Sequence, residues 1–68
     1  MNISNKLKKI RTDHEYNQSE FARMCDVSRQ TIHAIENSKY TPSVELALKI
    51  ARNLDLSVED IFTLKEDK

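Results

Sequence analysis

Apolar residues recur at helical spacing over most of the chain. Ile3, Leu7 and Ile10 lie at i, i+4 and i+7 and predict a first helix, whereas the stretch from Thr12 to Tyr16 lacks a period and predicts a loop. Four further helices are predicted. Their apolar positions are Phe21, Ala22 and Cys25; Ile32 and Ile35; Val44, Ala47, Ile50, Ala51 and Leu54; and those of the short segment 58–62.

Polar residues that cap helix N-termini precede these stripes. Asn17, with Glu20 three residues later, has the spacing of a capping box. The other candidate caps are Ser28, Ser57 and either Ser43 or Thr41, the latter with Pro42 as the first helical residue. Residues 62–65 can also be extended. The chain is therefore predicted to be all-α, with five short helices around one core and a single domain over residues 1–68.

Composition narrows the class of protein further. A chain of 68 residues with no glycine and one proline suits one small helical domain. Its single cysteine, Cys25, excludes an internal disulfide, and its place on an apolar stripe predicts a small buried side chain. No apolar run approaches the roughly 20 residues of a membrane span, and no signal peptide is evident. We therefore expect a cytoplasmic protein without a membrane partner.

The formal net charge of the whole chain is zero, but basic and acidic residues are distributed unevenly along it. Residues 1–40 hold seven basic and five acidic side chains, whereas residues 41–68 hold four basic and six acidic ones. A bound polyanion would therefore contact the first half.

Enzymatic and metal-binding functions have little support. His14 and His33 have no cysteine or carboxylate partner at ligand spacing. Ser28 and His33 lie on one predicted helix, but no glycine-rich oxyanion loop or third catalytic residue accompanies them. We expect no enzyme activity, cofactor, metal or small-molecule ligand.

Residues 18–37 predict two short helices joined by a tight turn, a helix-turn-helix. Ala22 is small enough for the helix crossing, and Asp26 tolerates the positive φ that such a turn requires. On the outer face of the second helix lie Arg29, Gln30 and His33, followed by Asn37. These side chains can hydrogen-bond to base edges, as the reading helix of a DNA-binding protein does.

The sequence resembles the Cro/cI-like, or XRE, helix-turn-helix regulators. The resemblance runs through LKKIR, NQSEFA, VSRQTIHAIEN, TPS, LALKIARNL and VEDIF, and is strongest to short bacterial repressors of the cytolysin-operon type. It implies five helices, binding to double-stranded DNA as a dimer, and repression. It also implies a small two-stranded sheet in which Ile3 and residues 62–64 pair.

The resemblance assigns roles by position. Base reading falls to Ser28, Arg29, Gln30, Thr31 and His33, and backbone contacts fall to Gln18, Asn37, Lys39 and Tyr40. The position of Gln18 also implies that its side chain braces the reading helix. Arg11 and Glu36 match a structural ion pair between the first and third helices. Packing of Tyr40 on the core remains an alternative to its phosphate contact.

The C-terminal residues are richer in large apolar groups than one short helix can bury. Segment 54–65 is therefore predicted to form a two-fold dimer interface lined by Leu56, Ile61, Phe62 and Leu64. Such a dimer would bind an inverted-repeat operator. The alternative function is an antitoxin-type module that uses the same fold to bind a protein.

Overall fold

The computed structural model describes residues 2–65 and confirms the five helices. The elements are β1 (Asn2–Asn5), α1 (Leu7–Asp13), α2 (Gln18–Met24), α3 (Arg29–Glu36), α4 (Val44–Asn53), α5 (Val58–Ile61) and β2 (Phe62–Lys65). No helix in this range is both long and apolar enough to cross a membrane.

The two strands form an antiparallel pair that joins the ends of the described chain. Ile3 is opposite Leu64 and Ser4 is opposite Thr63, and the two hydroxyls of the second pair are 2.9 Å apart. The prediction that Ile3 belongs to the first helix is therefore wrong. The helix begins at Leu7, whose backbone N–H donates to Asn5 Oδ1 at 3.1 Å.

The predicted caps are present at four helix N-termini. The Asn17 side chain accepts from the backbone N–H of Glu20, and the Glu20 carboxylate accepts from that of Asn17, which completes the capping box. Ser28, Ser43 and Ser57 each accept from the backbone N–H three residues later. Ser43, and not Thr41, therefore caps α4.

The chain leaves several helices through the left-handed backbone region without glycine. Glu15, Asp26, Ser38 and Asp55 have φ between 58° and 63°. The positive φ predicted for Asp26 is thus confirmed. Because a Cβ atom costs about 1–2 kcal/mol in this region, each of these turns is locally strained.

One apolar core lies between the helices. It comprises Leu7, Phe21, Ala22, Cys25, Ile32, Ile35, Leu46, Ile50, Ala51, Leu54 and Ile61. The predicted face of α4 is partly wrong, since Val44 is 78 % exposed and Leu46 is 8 % exposed. Two positions correspond to about 200° around a helix, so with Leu46 facing inwards Val44 faces away from the core.

Candidate nucleic-acid interface

The turn between α2 and α3 fixes the position of the third helix. The backbone N–H of Val27 donates to the carbonyl of Ala22 at 3.0 Å, and Asp26 supplies the positive φ. Ala22 is 2 % exposed, and both Ile32 and Ile35 of α3 are fully buried. The inner side of α3 is therefore held by packing, and its outer side faces solvent.

The outer side of α3 carries the side chains predicted to read DNA. Arg29, Gln30 and His33 are exposed, and Thr31 is half-buried. The Ser28 hydroxyl accepts the backbone N–H of Thr31 at 3.1 Å, so it also has a structural role as the N-cap. Arg29, Gln30 and His33 are therefore accessible from solvent.

A polar network connects the start of α2 with the end of α3. Gln18 Nε2 donates to Glu36 Oε1 at 3.0 Å and lies 3.4 Å from His33 Nδ1. Asn37 Nδ2 donates to the carbonyl oxygen of His33 at 2.8 Å. Local spacing does not predict the Gln18–Glu36 contact, because these residues are 18 positions apart.

The structure contains an ion pair between Arg11 of α1 and Glu36 of α3. Arg11 Nε donates to Glu36 Oε2 at 2.6 Å, and a second guanidinium nitrogen donates to Oε1 at 3.2 Å. A third nitrogen donates to the Tyr16 carbonyl at 2.7 Å. The side chains are 10 % and 2 % exposed, respectively. The pair therefore connects α1, the following loop and α3 in a nearly water-free place.

The loop after α3 presents further polar groups. Asn37 and Lys39 are exposed, and Tyr40 is 48 % exposed. Tyr40 therefore keeps about half of its surface available for a ligand rather than packing fully on the core.

The residues predicted for the dimer interface do not share one environment. Leu64 is 66 % exposed and Leu56 is 36 % exposed, but Ile61 is 1 % exposed. The structure thus places Ile61 in the core, because the short α5 points this side chain inwards, and Phe62 is half-buried. Two apolar residues of α4 that were not predicted to be exposed also lie at the surface: Val44 and Leu48, the latter 57 % exposed.

Within residues 2–65, no group of three or more His, Cys, Asp or Glu residues is arranged to hold a metal ion. Burial raises the pKa of the Cys25 thiol, against the opposing effects of a hydrogen bond from Asn53 and the charge of Lys49. Cys25 therefore lies in the core, where burial disfavours the thiolate form.

Comparison with known proteins shows which family the chain resembles. Residues 7–61 match the family model described as "Helix-turn-helix". An HTH-type transcriptional regulator of Methanocaldococcus jannaschii is 47 % identical over 66 residues, which are 97 % of this chain and 100 % of that protein.

Two further proteins that are similar to this chain in structure or sequence are longer than it. The crystal structure of the clp gene regulator ClgR from Corynebacterium glutamicum has a TM-score of 0.75 and 28 % identity, over 79 % of this chain and 57 % of that one. The antitoxin PezA of Streptococcus pneumoniae is 35 % identical over 66 residues, which are 97 % of this chain and 40 % of PezA. The chain therefore spans little more than half of the first protein and less than half of the second.

Proposed function

Because the chain belongs to the helix-turn-helix family of transcriptional regulators, we propose that it binds one double-stranded DNA sequence specifically, as a homodimer, and represses transcription there. The observation that supports this most is the charge of the exposed side of α3. Glu36 is the acidic residue of this helix, and its side chain is 2 % exposed and paired with Arg11. The remaining exposed groups are hydrogen-bonding side chains that do not repel DNA.

The proposed reading mechanism follows from the chemistry of these groups. Arg29 can donate two hydrogen bonds to guanine O6 and N7, and Gln30 can pair with adenine N6 and N7. Ser28, Thr31 and His33 flank them on the same helix. Lys39, Tyr40 and Asn37 then contact the DNA backbone and fix the register of the helix in the major groove.

The test uses a duplex selected from a random pool for binding to the wild-type protein. Gln30→Ala is expected to cost about 1–3 kcal/mol on that duplex and much less on random DNA, because Gln30 is uncharged. Glu45→Ala, at an exposed position of α4, is the matched control and should bind as the wild type does. Equal weakening of selected and random DNA by Gln30→Ala would refute the base-reading role.

The homodimer is proposed from the exposed apolar surface. Leu48 and Leu56 line one surface depression with Val58, and Val58 also borders a second depression that contains Val44 and Ile3. Because Val58 borders both depressions, these side chains lie near one another and outside α2 and α3. A second copy that covers them would leave the reading helix free. Leu64, at 66 % exposure in β2, is opposite Ile3 and extends the surface.

A two-fold axis also suits the proposed DNA target. Two reading helices about 34 Å apart would enter successive major grooves of an inverted repeat. Leu48→Glu is expected to give folded monomers in sedimentation, because Leu48 is already exposed in the monomer. Ile61→Glu should unfold the domain instead. A wild-type protein that is monomeric at micromolar concentration and binds a half-site at full affinity would refute the dimer.

The second candidate function is protein binding as an antitoxin, and the similarity to PezA supports it. Native complexes isolated from cells distinguish the two functions. Regulation predicts operator DNA without a second protein, whereas an antitoxin role predicts an equimolar protein partner. The proposed regulation is a binding function without a catalytic step, and it places the protein in the cytoplasm with the DNA.

A further inference from the structure

We infer that Asn5 is a positioning residue for DNA binding. It ties the C-terminal end of α3 to the start of α1 and thereby holds the loop of residues 37–40, which the proposed function places on the DNA backbone. This inference rests on that proposed function and assigns a role to a residue outside the helix-turn-helix.

Both ends of the Asn5 side-chain amide are engaged. Its Oδ1 accepts the backbone N–H of Leu7 at 3.1 Å. Because an amide oxygen accepts and an amide nitrogen donates, this contact fixes the orientation of the group. Nδ2 of Asn5 then donates to the carbonyl oxygen of Ile35 at 3.0 Å. One side chain at the end of β1 therefore connects the first residue of α1 with the last turn of α3.

The carbonyl of Ile35 is also an acceptor in the chain reversal after α3. The backbone N–H of Ser38 donates to it at 3.0 Å, and that of Lys39 donates to the carbonyl of Ala34 at 2.9 Å, which is the pattern of a Schellman motif. Ser38 has φ 59°, where its Cβ atom is disfavoured and glycine is usual. A carbonyl oxygen has two lone pairs, so it can accept from Ser38 and Asn5 together. Asn5 is thus bound to the carbonyl that fixes the strained start of the loop.

The backbone of Asn5 is itself held in place. Asn5 is opposite Phe62 in the two-stranded sheet, and the next backbone N–H, that of Lys6, donates to the carbonyl of Ile61 at 2.9 Å. Ile61 is 1 % exposed and lies in the core. Asn5 therefore holds the end of α3 from a fixed point of the fold rather than moving with the loop.

The first turns of α3 do not depend on this contact. Core packing and the Ser28 cap hold Arg29 and Gln30 in place without Asn5. The loop is less constrained, and the Lys39 side chain in it is exposed. Loss of the Nδ2 donor should therefore weaken the contacts of the loop with phosphate groups, which carry no sequence information.

The contact can be measured by NMR in the free wild-type protein. A scalar coupling across the hydrogen bond is expected between ¹⁵Nδ2 of Asn5 and the carbonyl ¹³C of Ile35. This measurement needs no variant, and absence of the coupling would overturn the inference.

A variant then tests whether the contact holds the loop. Asn5→Ser removes the donor to α3, while its hydroxyl can still accept the N–H of residue 7. Exchange of the Ser38 and Lys39 amide hydrogens should become at least about threefold faster relative to residues 32–35. Thr63→Ala is the matched control, because it removes the 2.9 Å contact with Ser4 in the same sheet, and it should leave this ratio unchanged. An unchanged ratio in Asn5→Ser would overturn the inference.

DNA binding is measured with the selected duplex and with random DNA. Asn5→Ser should lower affinity for both by a similar factor, about three- to tenfold, as expected for one lost hydrogen bond. The dependence of affinity on salt should also decrease, because the phosphate contact of Lys39 is weakened. Thr63→Ala should bind as the wild type does. No loss of affinity in Asn5→Ser, or a loss confined to the selected duplex, would overturn the inference.

A double-mutant cycle identifies the loop as the part that Asn5 positions. Lys39→Met should weaken binding less in the Asn5→Ser background than in the wild type, because the loop that carries Lys39 is already displaced. Gln30→Ala is the comparator, and its effect should add to that of Asn5→Ser. Additive effects of Asn5→Ser and Lys39→Met would contradict the positioning role.

The two proposals fail in different ways. A wild-type protein that binds no duplex DNA would refute the proposed function, while the NMR and exchange measurements would still show whether Asn5 holds the loop. A wild-type protein that selects a duplex, together with an Asn5→Ser variant of equal affinity, would refute only the role of Asn5.

Discussion

The Arg11–Glu36 ion pair allows a quantitative prediction about folding. Glu36→Ala would remove the acceptor of two guanidinium hydrogen bonds and leave Arg11, whose side chain is 10 % exposed, without its counter-charge. Breaking one partner of a buried pair typically costs about 3–5 kcal/mol. A domain of this size has a total stability of only about 3–10 kcal/mol. The melting temperature should therefore fall by at least about 10 °C.

Calorimetry and circular dichroism without DNA would measure this loss, with Lys9→Ala as the control. Lys9 forms an exposed pair with Asp13 at 3.1 Å, and such pairs contribute about 0–1 kcal/mol. The double variant Arg11→Met with Glu36→Leu should recover much of the loss, because it removes both charges. It leaves the Tyr16 carbonyl without its Arg11 donor, at a cost of about 1–3 kcal/mol. A Glu36→Ala protein with an unchanged melting temperature and weakened DNA binding would refute this reasoning.

Three further predictions concern stability and reactivity. Glu15→Gly should raise stability by up to about 1 kcal/mol in urea titration, because Glu15 has φ 63° and only glycine avoids the Cβ penalty; a loss of stability would contradict this. Hydrogen bonds from the backbone and hydroxyl of Ser57 lower the pKa of Asp60. The contribution of the Asp60 carboxylate to folding stability is therefore complete above the unfolded pKa, near 4, and is lost as pH falls through the lower folded pKa. Asp60→Asn should therefore reduce the dependence of stability on pH in the acid range. Burial raises the pKa of Cys25, so iodoacetamide should modify this thiol only after unfolding, and rapid modification of the folded protein would contradict its place in the core.

Local signals were sufficient to predict most of the fold. Some features depend only on interactions within a few residues, and the spacing of residue types in the sequence therefore predicts them. They are the caps at Asn17, Ser28 and Ser57 and the turn at Asp26. The helix face of α4 was harder to predict, because Val44, Leu46 and Leu48 are all apolar and local spacing does not show which of them meets the core. That choice is made by tertiary packing, which has no local signature.

The candidate site likewise combines features that local spacing predicts with contacts that depend on the packing of the helices. The exposure of Arg29, Gln30 and His33 follows from helical periodicity once Ile32 and Ile35 are buried. The contact of Gln18 with Glu36 depends on how α2 crosses α3, and no spacing rule gives that distance. Similarly, the abundance of large apolar residues near the C-terminus predicted Ile61 at a dimer interface, but only the packed structure shows that this side chain is buried in the core.

The buried ion pair also bears on how a chain of zero net charge could approach DNA. Glu36 lies on α3, where a free carboxylate would repel phosphates, and Arg11 neutralises it within the domain. Arg11 itself is 8 % exposed and therefore adds little to the surface charge. Accessible positive charges on or beside this helix include Arg29 and Lys39, and the exposed side chains of Lys6, Lys8 and Lys9 border the same surface depression as Glu36. Because the whole chain has no net charge, the proposed DNA binding would combine a modest non-specific attraction with base contacts and, in the proposed homodimer, with two copies acting together.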